Sequence, residues 1–452
     1  MGGSAAGDDR KCKALCPAGG FGFARPFAAA AILLGGVATA GPASSANIQV
    51  TTTQQGISQG LCSLQEALYS SDLKTNKAID TTLPDHFYET GCIPGTGNDT
   101  ISLPAGAVFN FNGPWLDLHN KVGPTATPVI FSAIEIEGNG ATLQSTAGVF
   151  SPVLANSRLF AVVQIMDSGG FAGIGNLSLR NVYIKNFRVK GGDGGDGGGG
   201  GLGAGGAIYV DQFAFLTVDR STFENNGAVG GNGGAQNFLL GPGGGGGLSG
   251  NGGSGCVGAG GGGGSGGDGG KGACSGDAGG GGGGGALVNG LGTGGDGTPV
   301  ARGSAGQPCG GTGGDPTPAL GDDGSDPACA GGRGGGGAAN SGSRFHYGNG
   351  AGGSSGGGGG GGTNGGDGGF GGGGGMGGLG FLESWLGIVL PYLWSPDDGN
   401  GGFGGGGGAN GFLFGGNPGR GGDFGGRASA WGGGGGGGLG GAIFASPAAR
   451  SG

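Results

Sequence analysis

From residue 191 onward, 116 of 262 residues are glycine, against 24 in the first 190. That is about 44%, where ordinary usage is roughly 7%. Glycine loses more backbone freedom on folding than any other residue, so a block this rich orders only beside something rigid. No strict Gly-X-Y period runs through it and proline is sparse, which excludes collagen. Embedded apolar segments such as Ala207-Ile208-Tyr209-Val210 separate it from a plain flexible linker.

The rigid partner is expected in residues 47–225, which are rich in Val, Ile, Leu, Phe and Thr. Short β-branched and aromatic runs bounded by Gly, Asn or Pro read as strands. They are Ile48–Thr52, Thr100–Leu103, Ala107–Phe111, Val129–Phe131, Ile134–Glu137, Arg158–Val163, Leu177–Leu179, Val182–Ile184, Ala207–Val210, Leu216–Val218 and Ser221–Phe223. One helix is expected at Ser63–Leu73, with Leu64, Ala67 and Leu68 on one face.

Residues 177–186 line up with 216–225, placing Leu177 with Leu216, Leu179 with Val218 and Ile184 with Phe223. Each unit is a strand, a one-residue corner, a second strand and an asparagine, a residue that tolerates left-handed backbone. Units of this kind bury their apolar faces only by stacking, the pattern of a parallel β-helix. The 39-residue offset exceeds one coil, and the excess is the glycine run 191–206. Insertions in solenoids map to corner loops. Blocks 227–284 and 287–440 read as larger elaborations, with returns to the scaffold at Gly284-Gly-Ala-Leu-Val288 and Gly440-Gly-Ala-Ile-Phe444, both echoing Gly205-Gly-Ala-Ile-Tyr209.

Residues 1–46 carry Arg10, Lys11, Lys13 and Arg25, then an apolar run from Phe27 to Ala40, then small residues. This is the layout of a cleaved secretory signal, with Ala38-Thr39-Ala40 or Ser44-Ser45-Ala46 at the cut. The run is short for a membrane span. Cleavage takes the net charge from −9 to −11, since four basic residues leave with Asp8 and Asp9. No basic stripe exists for nucleic acid. Six cysteines remain: Cys62, Cys92, Cys256, Cys274, Cys309 and Cys329. An even number in an oxidising compartment suggests disulfides. Sequence neighbours pair naturally as 62–92, 256–274 and 309–329, among fifteen connectivities. The spacing of a zinc site is missing.

Leu61-Cys62-Ser63-Leu64-Gln65-Glu66-Ala67-Leu68 resembles the Cys-Ser-Leu-Arg-Glu-Ala-Ile motif of the CSLREA-domain proteins, with Gln65 in place of Arg and Leu68 in place of Ile. Ile48–Thr52, Cys92, Asp99–Gly106 and Ile136–Leu143 resemble the family's flanking segments. The Gly-Gly-Ala-Ile-Tyr strands are similar to rungs of polymorphic outer-membrane proteins and autotransporter-like adhesins. The resemblance implies an all-β fold: a right-handed parallel β-helix, pectate-lyase-like, with a short N-terminal helical cap and long glycine-rich insertions. The expected layout is a signal at 1–46, a cap at 47–110, rungs at 111–226, insertions with interspersed rungs at 227–440, and a shortened rung at 441–452.

Parallel β-helices include polysaccharide-cleaving enzymes, whose sites need paired carboxylates or acidic calcium ligands. The carboxylates on expected rungs are Asp99, Asp117, Glu135, Glu137, Asp167, Asp211, Asp219 and Glu224. Glu135 and Glu137 share a strand face, which a solvated outer surface explains. Asp322-Asp323 and Asp397-Asp398 read as turn formers, and His86, His119 and His346 flank no nucleophile. Asp193 and Asp196 bring calcium-binding glycine repeats into consideration, but the spacing does not iterate. Neither catalytic residues nor a cofactor is expected; calcium is the one candidate. The apolar stretch Gly380–Trp394 reads as a plug over the solenoid flank or as a contact for a partner or a membrane surface. The leading expectation is an exported, non-enzymatic surface or matrix protein displaying glycine-rich loops to a surface, polysaccharide or cell-envelope component. The alternatives are a β-helix carbohydrate-active enzyme and a polyglycine-helix structural or ice-binding-like protein.

Overall fold

The computed structural model describes residues 45–446 apart from 59, 80–85, 118, 147–156, 167–171, 237–240, 257, 275–279, 286–292, 299–300, 307–309, 312, 314–349, 351, 354–355, 363, 378–380, 383–389, 392–396, 410–416 and 430–431. The expected signal, Asp167, Ala286–Val288, Cys309, Asp322-Asp323, Cys329, His346 and most of the apolar plug therefore lie outside the described residues.

The chain opens with β1 (Asn47–Gln49) and α1 (Leu64–Leu73). The motif around Cys62 has a local physical reason. Ser63 caps the helix by accepting from the Glu66 N–H, while Glu66 Oε2 accepts from the Ser63 N–H at 2.7 Å. This capping box satisfies two of the N–H groups a helix start leaves unpaired. Glu66 Oε1 also holds the Ser58 N–H at 2.7 Å, and Cys62–Cys92 ties the helix start to the chain beyond it. At the other end Lys74 takes a left-handed φ of 54°. An antiparallel hairpin follows, β2 (Lys77–Ile79) with β3 (Phe87–Glu89).

The scaffold is a parallel stack into which one antiparallel hairpin, Gln164–Met166 with Ala172–Ile174, is set. It comprises β4 (Asn98–Ser102), β5 (Val108–Phe111), β6 (Ala133–Ser145), β7 (Phe160–Val162), β8 (Gln164–Met166), β9 (Ala172–Ile174), β10 (Asn176–Lys185), β11 (Arg188–Lys190), β12 (Gly203–Ala204), β13 (Ile208–Val210), β14 (Phe215–Asp219), β15 (Thr222–Glu224) and β16 (Gly227–Val229). One ladder runs β1-β4-β6-β10-β14, with β5 beside β6 and β15 beside β10. Its register puts Ile48, Ile101, Ile136, Leu179 and Val218 in one row, and Phe109, Leu143, Ile184 and Phe223 in another. The pairs Leu177–Leu216, Leu179–Val218 and Ile184–Phe223 are those the repeat in the sequence predicts. Most of these side chains are fully buried, each contributing roughly 1.5–3 kcal/mol.

Two of the expected strands, 177–179 and 182–184, are one strand with a register shift at its corner. Asn181 sits there at φ 51°, between Asn139 at 51° and Arg220 at 45°. Asn186 and Asn225 end the second arms at φ 67° and 53°, as the asparagine pattern suggests. Val129–Phe131 contributes one bridge, Ile130 to Val162. A second ladder stacks β7, β13 and β20 (Ile443–Ala445), so Gly440–Phe444 does return to the scaffold. Between β16 and β20 lie two further short pairs, β17 (Phe381–Leu382) with β18 (Leu390–Pro391), and β19 (Gly438–Leu439) with β12.

The glycine blocks are a hydrogen-bonded lattice. In the rod 198–206, Gly198 and Gly201 donate to Gly195 and Gly192. Gly199 and Leu202 donate to Gly374 and Gly371, while Gly200, Gly203 and Gly206 donate to Gly434, Gly437 and Gly440. Every third residue thus faces the same neighbour, the period of an extended polyproline-II-like helix without internal bonds. The rod also accepts from Gly231 and Gly234, from Gly246 and from Gly406, so six rods surround it. A Cβ at Gly201 would overlap the Gly247 carbonyl oxygen, and one at Gly200 the Gly231 oxygen. The absence of side chains is what brings the backbones within bonding distance. Gly284 belongs here too, donating to Gly262.

The lattice joins the scaffold at the ends of strands. β11 runs into it and β12 leads out; β16 runs into it and β19 leads out. Leu202 and Leu248, both fully buried, pack with Val122, Tyr209 and Phe444 at the junction.

Candidate functional surface

Where no further rod among the described residues covers the lattice, side chains close its hydrogen bonds. Asn232 N–H donates to Asp193 Oδ1, Asp193 N–H to Asn251 Oδ1, and Asn251 N–H to Asp268 Oδ1, at 2.7–2.8 Å. Lys271 N–H donates to Asp296 Oδ1 at 2.7 Å. A second ladder has Arg420 N–H on Asn400, Asn400 N–H on Asp367 and Asp397 N–H on Asn364. Each exposed carboxylate or amide oxygen satisfies the outward N–H of the adjacent rod, a need that any backbone donor without a partner imposes. The result is a polar edge on which the same contact recurs from rod to rod and, at Asn364 and Asp367, three residues or about 9 Å apart along one rod.

An aromatic column crosses from this lattice to the scaffold. Tight turns at 195–198, 369–372, 402–405 and 422–425 close with i+3 to i bonds, and their third residues, Gly197, Gly371, Gly404 and Phe424, have φ of 67–78°. Phe370 and Phe403, at the second position of two turns, stack at 5.3 Å and 4°. Phe424 meets Phe403 edge-on at 5.5 Å, and Phe370 reaches Phe444, which touches Tyr209 at 5.7 Å. The buried Arg158 guanidinium lies 5.4 Å over the Tyr209 ring and donates to the Val122 and Ala204 carbonyls. Aromatic pairs of this geometry add about 0.5–1.5 kcal/mol beyond their buried area.

A second cluster of titratable groups lies around α1. Burial pushes the Asp72 carboxyl up to about 7, against hydrogen bonds from Ser132 and the Phe131 N–H and with help from Asp117. Asp117 Oδ2 accepts from the Val129 N–H at 2.8 Å, and its Oδ1 from the His119 N–H at 2.9 Å. Burial likewise raises the Tyr69 hydroxyl, which accepts from Trp115 Nε1 at 3.1 Å. Asp99 is the reverse case: burial opposes its charge, but hydrogen bonds from Thr96, Ser71 and Ala46 outweigh it and hold the pKa low.

The cysteines pair 62–92 and 256–274. Asp193 and Asp196 are not brought together. Asp193 bonds Lys190 at 2.6 Å and the Asn232 N–H, while burial raises Asp196. Among the described residues no group of three or more His, Cys, Asp or Glu could hold a metal ion. Glu135 lies on the outer face, 3.5 Å from Arg180, which also reaches Asp219 at 3.4 Å. Asp397 behaves as a surface residue of the lattice. Asp398 does not: it is buried, accepts from the Gly377 N–H at 2.9 Å, and burial raises its pKa to about 8. Sequence reasoning overlooked the Asx ladders. Their signal is the spacing of three in Asp193-Gly-Gly-Asp196 and Asn364-Gly-Gly-Asp367.

No helix among the described residues is long and apolar enough to cross a membrane. Comparison with models of known families, with curated proteins and with solved structures finds no match.

Proposed function

We propose that this chain is an exported, non-enzymatic surface or matrix protein. In this reading the parallel ladders close into a right-handed β-helix, with the Cys62–Cys92 segment as its cap, and the helix carries the glycine lattice as a stiff plate. The plate lies against an extended surface such as a polysaccharide or another cell-envelope component. The observation that carries the reading is the lattice with its Asx ladders, a rigid face whose polar groups repeat in two directions. The two disulfides and the lack of a long apolar helix among the described residues are compatible with secretion.

The test is retention of the purified chain on an array of glycans and matrix proteins, with soluble products monitored in the same wells. Retention without turnover, weakened when Asn251 and Asp268 become Ala, is the expected result. Released oligosaccharide would overturn the reading and favour a carbohydrate-active enzyme. The lattice itself favours one second reading, a structural or ice-binding plate. Thermal hysteresis in the absence of glycan retention would select it.

A further inference from the structure

The last turn of α1 is fixed to the scaffold by three side chains. Tyr69, Ser70, Ser71 and Asp72 are all buried. The Tyr69 hydroxyl accepts from Trp115 Nε1 at 3.1 Å. Ser71 Oγ donates to Asp99 Oδ2 at 2.7 Å and lies 3.3 Å from Ser132 Oγ. Asp72 Oδ1 accepts from the Phe131 N–H at 3.2 Å, and the carboxyl is bonded to Ser132 as well. Its Oδ2 is buried and has no partner. The groups facing this carboxyl supply no permanent cation. From the segment after β5 comes Asp117, buried, with His119 Nδ1 3.3 Å from its Oδ1. From β4 comes Asp99, behind the two serines, and from α1 itself Tyr69. Lys74 lies against Gly97 instead.

The hydroxyl protons give this network a direction. Ser71 spends its proton on Asp99, so the contact between the two serines uses the proton of Ser132. A hydroxyl has one proton to give, which leaves Ser132 Oγ an acceptor toward Asp72. Only a protonated carboxyl completes that chain. An ionised Asp72 draws the Ser132 proton to itself and deprives Ser71 of a donor. It also sets a charge with one bare oxygen beside Asp117 in a buried site. We propose that residues 69–73 form a pH latch, docked on Phe131 and Ser132 while Asp72 is protonated and released once it ionises. The first part of the helix stays in place. Its capping box, the Cys62–Cys92 link and the burial of Leu64, Ala67 and Leu68 in the main core do not involve Asp72.

Hydrogen exchange of the full chain, followed by NMR from pH 4 to 8 and corrected for the intrinsic rate, reads the latch. Opening at the Phe131 amide and at the last-turn amides of α1 should rise with pH between the ordinary carboxyl value of 3.8 and about 7. The rise should reach up to roughly a thousand-fold and then level off. The amides of Ile101, Ile136 and Leu179, inside the first ladder, should not follow. Asp72→Asn keeps a donor for Ser132 and should abolish the rise. Asp117→Asn, which leaves Asp72 in place and removes the facing charge, should shrink it and so tests the latch separately. A Phe131 amide whose opening is unchanged across the range overturns the proposal. An equal rise at Ile136 and Leu179, which marks opening of the whole fold, overturns it too, as does a rise that survives Asp72→Asn.

Discussion

Gly201→Ala tests whether the lattice is packed as described. The new methyl would sit where the Gly247 carbonyl lies, and the obstacle is backbone, so a whole rod must shift. Overpacking of this sort costs about 1–3 kcal/mol. The Gly201–Gly192 and Gly231–Gly201 hydrogen bonds, both 2.8 Å, are strained by the shift, at about 0.5–1.5 kcal/mol each if lost. Against this, alanine reduces the freedom of the unfolded chain by about 0.4–1 kcal/mol. The net expectation is a loss of about 2–4 kcal/mol. Gly435→Ala is the matched control, since its Cβ would meet only the Gly231 oxygen at 3.5 Å. It should be neutral or stabilising by up to about 1 kcal/mol. Urea unfolding followed by circular dichroism, with hydrogen exchange of the lattice amides, reads both. If Gly201→Ala loses no more stability than Gly435→Ala, the six-neighbour packing is refuted.

Asp72→Asn should flatten a pH dependence. The folded carboxyl titrates near 7 against an ordinary 3.8, so between those values the folded chain keeps a proton the unfolded chain releases. Asp72 alone contributes a fall of about 4 kcal/mol as pH rises through that window, and Asp398, raised to about 8, adds to it; the substitution removes the Asp72 part. Denaturant midpoints across pH 4–8 check this, and a wild-type curve that rises there contradicts it. Cys62→Ser opens a link of sequence separation 30, with an expected loss of roughly 3–4 kcal/mol; Cys256→Ser, at separation 18, should lose roughly 3. Ser63→Ala removes the helix cap and should lower the melting free energy by about 1 kcal/mol.

The scaffold was legible because its rule is short-range. Alternating apolar residues and asparagines at corners recur at a fixed offset, so aligning Leu177 with Leu216 yields the register directly. The hairpins at 77–89 and 164–174 were not foreseen, since their strands of three residues carry little pattern. The lattice was hidden for the opposite reason. Glycine has no side chain to mark which of its neighbours it meets, and the partner of Gly200 is Gly434. Only the residues that are not glycine betray the period: Asp193 and Asp196, Asn364 and Asp367, Asp397 and Asn400. Asp398 was misjudged because adjacency to Asp397 suggested a shared exposed turn, while the threefold repeat points neighbouring residues in different directions.

The rod 198–206 is bonded to a segment that lies more than two hundred residues downstream, and β13 waits for the same segment on the scaffold side. Neither can be completed early. At synthesis rates of about 5–20 residues per second, the interval between Gly206 and Gly438 is roughly 10–50 s. Within it the intervening rods can pair with one another, as Gly253 does with Gly261 and Gly261 with Gly270, but Gly200, Gly203 and Gly206 wait for their acceptors. Contacts this distant in sequence slow folding, because the loop must close before they form. The arrival of Gly438–Ala445 therefore acts as a clasp. It pairs with β12 and β13 at once, completing the rod 198–206 and the second ladder together.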